Sequence, residues 1–255
     1  MIRGPRCNPV TPHLRSQQEN LSNLHDRLRA LINHALNVVM PQDCFLCAAR
    51  SYDQPLCAAC RAELPAQLAP GCPICALPTP SGAVCGHCLV APPAFDATRA
   101  AFDYGFPIDV LVQALKYRHR LSLAAFFARA IGELKGDFDL IVPMPLHARR
   151  LAERGFNQAV EIARPLAKSS GVPMVLAGVA RVRDTPSQAS LGRAARVSNM
   201  RAAFACELKL DRRSVLVIDD VMTTGASLDA LARCLKAQGA RRVENCVVAR
   251  TPAAL

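Results

Sequence analysis

The chain has 255 residues, of which 51% are hydrophobic, 20% charged and 5% aromatic, with no tryptophan. That apolar share supports a packed core and excludes an intrinsically disordered chain, while the length suits one large domain or two modest ones. The formal charge of +11 favours anionic partners: phosphorylated metabolites, nucleic acid or a membrane surface.

Residues 1–43 read as a lead-in. The first 18 are proline-rich and polar and are expected to be disordered. Leu21, Leu24, Leu28, Leu31, Ile32, Ala35, Leu36 and Val39 then recur at helical spacing, and Pro41 ends the helix. No stretch reaches the roughly 18 apolar residues of a membrane span; the nearest, Leu121–Gly132, is interrupted by Arg129. With no signal-like apolar core near the N-terminus, a soluble cytoplasmic protein is expected. Twelve cysteines in that setting suit metal ligation better than disulfides.

Residues 44–92 form the second segment. Its cysteines come as Cys44-Phe-Leu-Cys47, Cys57-Ala-Ala-Cys60, Cys72-Pro-Ile-Cys75 and Cys85-Gly-His-Cys88. Nine residues separate the first two pairs and nine separate the last two, which marks an internal duplication. Two thiolates at this spacing lie on one tight turn and face one ion, and two such turns complete a tetrahedral zinc shell. A single pair could be redox-active, but four in register point to structural Zn2+, two ions in all. Tandem pairing (44/47/57/60 and 72/75/85/88) fits the repeated gap better than an interleaved arrangement. His87 is a bystander between ligands, and Cys7, Cys206, Cys234 and Cys246 read as small apolar residues.

Residues 96–255 alternate strand-like and helix-like runs. Thr98–Tyr104 predicts a strand, Ile108–Tyr117 and Leu121–Leu134 helices, and Leu140–Met144 a buried strand. A helix near Asn157–Ser170 and a strand within Val172–Val182 follow. Val215–Ile218 is a strand, Ser227–Gln238 a helix ended by Gly239, and Val243–Ala249 a last strand. Strands separated by such helices imply an α/β fold with a mainly parallel sheet, whose ligands bind beyond the strands' carboxyl ends.

The chemistry concentrates at the end of the Val215–Ile218 strand. Asp219 and Asp220 are followed by Thr223, Thr224, Gly225, Ala226 and Ser227, which lead into a helix. Backbone N–H groups of such a loop, backed by the helix N-terminus, cradle a phosphate, and the hydroxyls add donors. Two acids just ahead suit vicinal sugar hydroxyls or a bridging Mg2+. Together they describe a ribose 5-phosphate site.

This run resembles the signature of type I phosphoribosyltransferases. The resemblance implies that Asp219 and Asp220 hold the ribose hydroxyls of 5-phosphoribosyl 1-diphosphate and that residues 223–227 bind its 5′-phosphate. A second run, from Ile141 through Pro143, Pro145, His147, Arg149 and Arg150 to Arg154-Gly-Phe-Asn-Gln158, narrows the family. With the four cysteine pairs ahead of it, the chain is similar over residues 30–252 to the ComF family (competence protein F and gluconate-locus relatives). Leu115-Lys116-Tyr117 and the stretch from Arg183 through Gln188 to Asn199 fit that pattern too. The loop after Leu140–Met144 sits where such folds hold pyrophosphate, often on a strained or cis peptide. Arg150 and Arg154, with Lys116, are the candidates to neutralise it. The Arg-rich stretch 181–201 reads as a flap over the site.

Three functions remain open at this point. The resemblance implies a phosphoribosyl diphosphate-binding protein of natural transformation that handles single-stranded DNA together with other DNA-uptake proteins. An active phosphoribosyltransferase would move ribose 5-phosphate to a nitrogen acceptor with Mg2+ and release pyrophosphate, though neither a general base nor the acceptor can be named. A degenerate scaffold would need no paired acids.

Overall fold

The computed structural model describes residues 42–52, 54–67, 70–183 and 203–252. The expected lead-in helix, Cys7 and most of the expected flap lie outside these residues. The chain divides into two compact units that meet in sequence at Arg61 and Ala62.

In the first unit, β1 (Gln42–Asp43) and β2 (Arg50–Ser51) pair antiparallel on either side of the Cys44–Cys47 turn. A short helix, α1 (Ala58–Ala62), follows Cys57 and buries none of its residues. Apart from Cys44, Ser51, Pro55 and Leu56 the described residues of this ribbon have little interior. A core that small needs a cross-link to hold its turns.

The second unit opens with the same plan. Gly71 bridges Pro78 antiparallel, and α2 (Gly86–Val90) follows Cys85. The α/β part then runs β3 (Ala97–Asp103), α3 (Ile108–Arg118), α4 (Ser122–Ile131), β4 (Leu140–Pro143), α5 (Ala148–Arg154) and α6 (Gln158–Ser170). It continues with β5 (Val179–Arg181), β6 (Phe204–Cys206), β7 (Ser214–Met222), α7 (Ala226–Ala237) and β8 (Arg242–Arg250). Four strands form one sheet in the order β3-β8-β7-β4, and every neighbouring pair is parallel. Strands covered on both faces read as unbroken apolar runs. Accordingly Val215–Ile218 and Val247–Ala249 are fully buried. Helix α6 packs on β4 and β7, and α7 on β8 and β6. Beyond β4 the sheet gains one more parallel bridge, Ile141 to Met174. β5 and β6 form a separate antiparallel pair.

Three boundaries differ from expectation. Helix α4 stops at Ile131, short of Leu134, because Gly132 turns to φ 75°. Helix α5 fills what reads in sequence as loop; its charged, wholly unburied surface leaves no apolar stripe to detect. β7 runs on to Met222, so Asp219 and Asp220 lie within the strand rather than at its end.

Leu216, on β7 and wholly buried, offers the cleanest test of this core. Leu216→Ala is expected to cost about 2–5 kcal/mol, read as a lower urea midpoint at unchanged denaturant slope.

Candidate functional site

Strand β7 carries Asp219 and Asp220 just past its last pairing with β4, Pro143 with Ile218, and both residues are buried. Asp219 Oδ1 accepts the Asp220 N–H at 2.8 Å, and Asp220 Oδ1 accepts the Val221 N–H at 2.6 Å. Lys116, in the last turn of α3, sets its Nζ 2.8 Å from Asp220 Oδ2. Burial, then the neighbouring Asp220, push the Asp219 carboxyl up to about 7, against the opposing pull of the Asp220 N–H, Lys116 and Arg181. Burial disfavours the charged Lys116, but Asp220 and Asp219 outweigh it and hold the ammonium above the usual lysine range.

Beyond Met222 the backbone turns through Thr223, Thr224 and Gly225 into α7. Gly225 has φ 81°, and a Cβ there would lie 2.6 Å from Met222 Cε, with the Phe95 ring at 3.7 Å. The conformation favours glycine, whereas the close approach is to the flexible end of Met222, which can shift. Thr224 Oγ1 accepts the Ala226 N–H at 3.4 Å. Thr223, Thr224 and Ala226 are exposed, and Ser227 is half-buried. The first N–H groups of a helix lack intrahelical partners and carry its positive end, which suits an anion.

The Arg-Gly-Phe-Asn-Gln run proves to be a joint between elements. Arg154 closes α5, and Gly155 caps it at φ 79°. Asn157 caps α6 by accepting the Ala159 N–H at 2.9 Å, while its Nδ2 donates to the Met144 carbonyl at 3.0 Å and pins the end of β4. Arg154 donates to Gln158 Oε1 and lies 5.2 Å over the Tyr117 ring. His119 Nε2 sits 3.1 Å from the Arg154 carbonyl and its ring 5.5 Å from that of Phe156. Arg154 thereby comes close enough to Lys116 to disfavour its charge. Arg150 is one helical turn earlier on the same face of α5, and like Arg154 it is half-buried. Lys116, Arg154 and the two acids thus gather near the carboxyl end of inner strand β7, with Lys116 turned onto Asp220. Among the described residues the cis peptide is Phe106–Pro107, ahead of α3, and not in the loop after β4.

The cysteines gather in tandem, as the repeated gap suggested. The sulfurs of Cys44, Cys47, Cys57 and Cys60 lie within 4.8 Å of one another, and so do those of Cys72, Cys75, Cys85 and Cys88. Both copies use the same hydrogen bonds. Cys44 N–H donates to the Ala49 carbonyl and Ala48 N–H to that of Cys44; Cys72 and Leu77, then Ala76 and Cys72, repeat them. Ala48 and Ala76 share φ 58°. Burial disfavours each leading thiolate, yet backbone N–H groups overcome it. Those of Cys57, Cys47 and Leu46 bring Cys44 down to about 6, and those of Cys85, Cys75 and Ile74 bring Cys72 to about 7. Four clustered sulfurs, the leading one of each set favoured as thiolate, fit structural Zn2+. His87 is exposed and stands outside the cluster. Burial pushes the Cys246 thiol up to about 11, consistent with an inert core residue.

Arg250 is the residue that sequence reasoning missed. It ends β8, is buried, and donates to the carbonyls of Cys75 (2.9 Å), Met222 (3.0 Å), Thr223 and Thr251 (2.8 Å). No local motif marks it among 26 arginines.

Comparison with known proteins agrees with this geometry. Residues 35–89 match the double zinc ribbon domain, and residues 150–255 match the phosphoribosyl transferase domain. The chain is 34% identical over 191 residues to the DNA utilization protein YhgH of Salmonella typhimurium, covering 71% of this chain and 84% of that protein. It is 29% identical to competence protein F of Haemophilus influenzae, over 65% of this chain and 78% of that one. The chain belongs to the ComF family. Competence protein ComFC of Bacillus subtilis is a further relative, 26% identical over 73% of this chain and 80% of that protein. Among the described residues, no helix is long and apolar enough to cross a membrane.

Two measurements follow from the site of this ComF-family chain. Native mass spectrometry should find two zinc ions per chain, with Cys44→Ser and Cys72→Ser each removing one. A carboxyl raised in the folded state binds protons that the unfolded state releases, so stability falls as pH rises from about 4 to about 7. Asp219→Asn should flatten that decline in thermal midpoint across the same range.

Proposed function

We propose that this ComF-family chain binds 5-phosphoribosyl 1-diphosphate with Mg2+ and serves the handling of single-stranded DNA during its uptake or utilisation. The observation that carries the ligand is the buried Asp219–Asp220 pair, set directly ahead of a glycine-containing loop and a helix N-terminus near the carboxyl end of inner strand β7. Burying two acids side by side is costly, and the structure offers no packing reason for it. A ribose offers one: its 2′- and 3′-hydroxyls donate to the two carboxylates, and its 5′-phosphate accepts from the N–H and hydroxyl groups of residues 223–227. Lys116, Arg150 and Arg154 supply positive charge for the diphosphate, and Mg2+, when bound, would add to that neutralisation. The DNA role rests on the relatives named for competence and DNA utilization, together with the charge of +11.

Transfer chemistry is the second reading, favoured by the cations gathered beside the acids. The bond from C1′ to the diphosphate oxygen would break as a nitrogen acceptor forms a bond to C1′. The leaving diphosphate would be stabilised by Lys116 and Arg154.

Calorimetric titration of the zinc-loaded protein with phosphoribosyl diphosphate and Mg2+ tests the ligand. Micromolar binding is expected, weakened at least about 100-fold in Asp219→Asn/Asp220→Asn, roughly two charge-assisted hydrogen bonds. Absence of binding by the wild type would overturn the ligand assignment. In a separate titration, single-stranded DNA affinity should fall steeply with salt. Pyrophosphate release with a nitrogenous acceptor would establish the transfer reading.

A further inference from the structure

One buried guanidinium touches both the second metal knuckle and the phosphate loop. Nε of Arg250 donates to the carbonyl of Cys75, inside the knuckle, and Nη1 reaches those of Met222 and Thr223, where β7 becomes the loop. A guanidinium is a rigid planar fork, so it fixes the spacing between the two backbones. Other ties run the same way. Asp229, in the first turn of α7, accepts the Ala94 N–H at 2.6 Å, just past the ribbon. Phe95 lies against Gly225, and Asp96 holds Val243 N–H at 2.7 Å and Lys236 at 2.8 Å. Cys72, Cys75, Cys88, Phe95, Met222 and Leu228 share one apolar cluster. The inner side of the phosphate loop is therefore built partly from the metal ribbon.

We infer that Arg250 is a positioning residue through which zinc in the Cys72/Cys75/Cys85/Cys88 cluster sets the shape of the 223–227 loop, so that zinc and a phosphoribosyl ligand bind with reciprocal positive coupling. The inference rests on the phosphate-loop reading above. Without the ion the knuckle loses the cross-link that holds its turn. The Cys75 carbonyl then leaves Arg250, a buried charge loses one acceptor, and the carbonyls of Met222 and Thr223 are no longer held in place. Linkage makes the effect mutual: a ligand that favours the ordered loop must tighten the zinc.

The test follows zinc transfer from the two-zinc wild type to a chromophoric chelator, with and without saturating phosphoribosyl diphosphate and Mg2+, and with ribose 5-phosphate as the smaller probe. At equilibrium with the chelator, release of one zinc equivalent should require about tenfold more chelator, within the roughly 5- to 150-fold range of coupled sites. The ligand should bind about tenfold more weakly to Cys85→Ser/Cys88→Ser, which leaves the Cys75 turn chemically intact. Arg250→Gln should keep two zinc ions per chain yet lose the ligand's protection of zinc, and Arg250→Lys should restore part of it. An arginine that merely supported the fold would lower the thermal midpoint and leave the protection in place. Unchanged zinc release in the saturated wild type, with equal affinity in the cysteine variant, overturns the inference even where Arg250→Gln fails to fold. No binding of either probe to the zinc-loaded wild type overturns the ligand assignment instead, and this inference with it.

Discussion

Two carboxylates held side by side away from water repel one another, and the second unit is arranged around containing that repulsion. β7 is an inner strand, with β8 and β4 on its flanks, so its backbone hydrogen bonds are met by its neighbours. The N–H groups that follow each acid are spent on the acids themselves. α3 delivers Lys116 to Asp220, while burial and its neighbour push Asp219 toward neutrality. Charge concentrated in this way is a standing cost to the unliganded fold, of the kind that functional sites retain and cores do not.

The molecule is held together by two kinds of cohesion. In the sheet, β-branched side chains from adjacent parallel strands bury one another, and cohesion grows with the apolar area removed from water. In the first ribbon there is little such area, since α1 buries nothing, while the second ribbon adds its sulfurs to the core of the α/β part. Their stability depends on metal and on backbone N–H groups that favour thiolate over thiol.

Sequence patterns revealed what local chemistry dictates. The four Cys-x2-Cys pairs announced two clusters because each pair occupies one turn, and the equal gaps announced the tandem grouping. The parallel order followed from apolar runs separated by helices. Other features were hidden for physical reasons. α5 is helical without an apolar stripe, so no periodicity betrays it. Arg154 reads in sequence as a site residue, and its bond to Gln158, which joins α5 to α6, shows in the structure beside the hold of Asn157 on β4. Lys116 reads in sequence as a contact for diphosphate, and its ion pair with an acid 104 positions away in the chain is a further role that no local pattern marks. Arg250 acts through carbonyls brought together only by the tertiary fold, and no spacing rule reaches from Cys75 to Thr251.

The repeated knuckle has a consequence for how such a chain can change over generations. Its two copies share hydrogen bonds, backbone angles and ligand spacing, so they began with the same tolerances. They no longer have them. The first copy answers chiefly to its own four sulfurs, and drift among its exposed residues disturbs little else within its unit. The second copy lends a carbonyl to Arg250 and its cysteines to the core beneath the phosphate loop, so a change there is felt by the sheet. Two knuckles of one plan thus carry different constraints, because the second is also part of the core of the α/β unit.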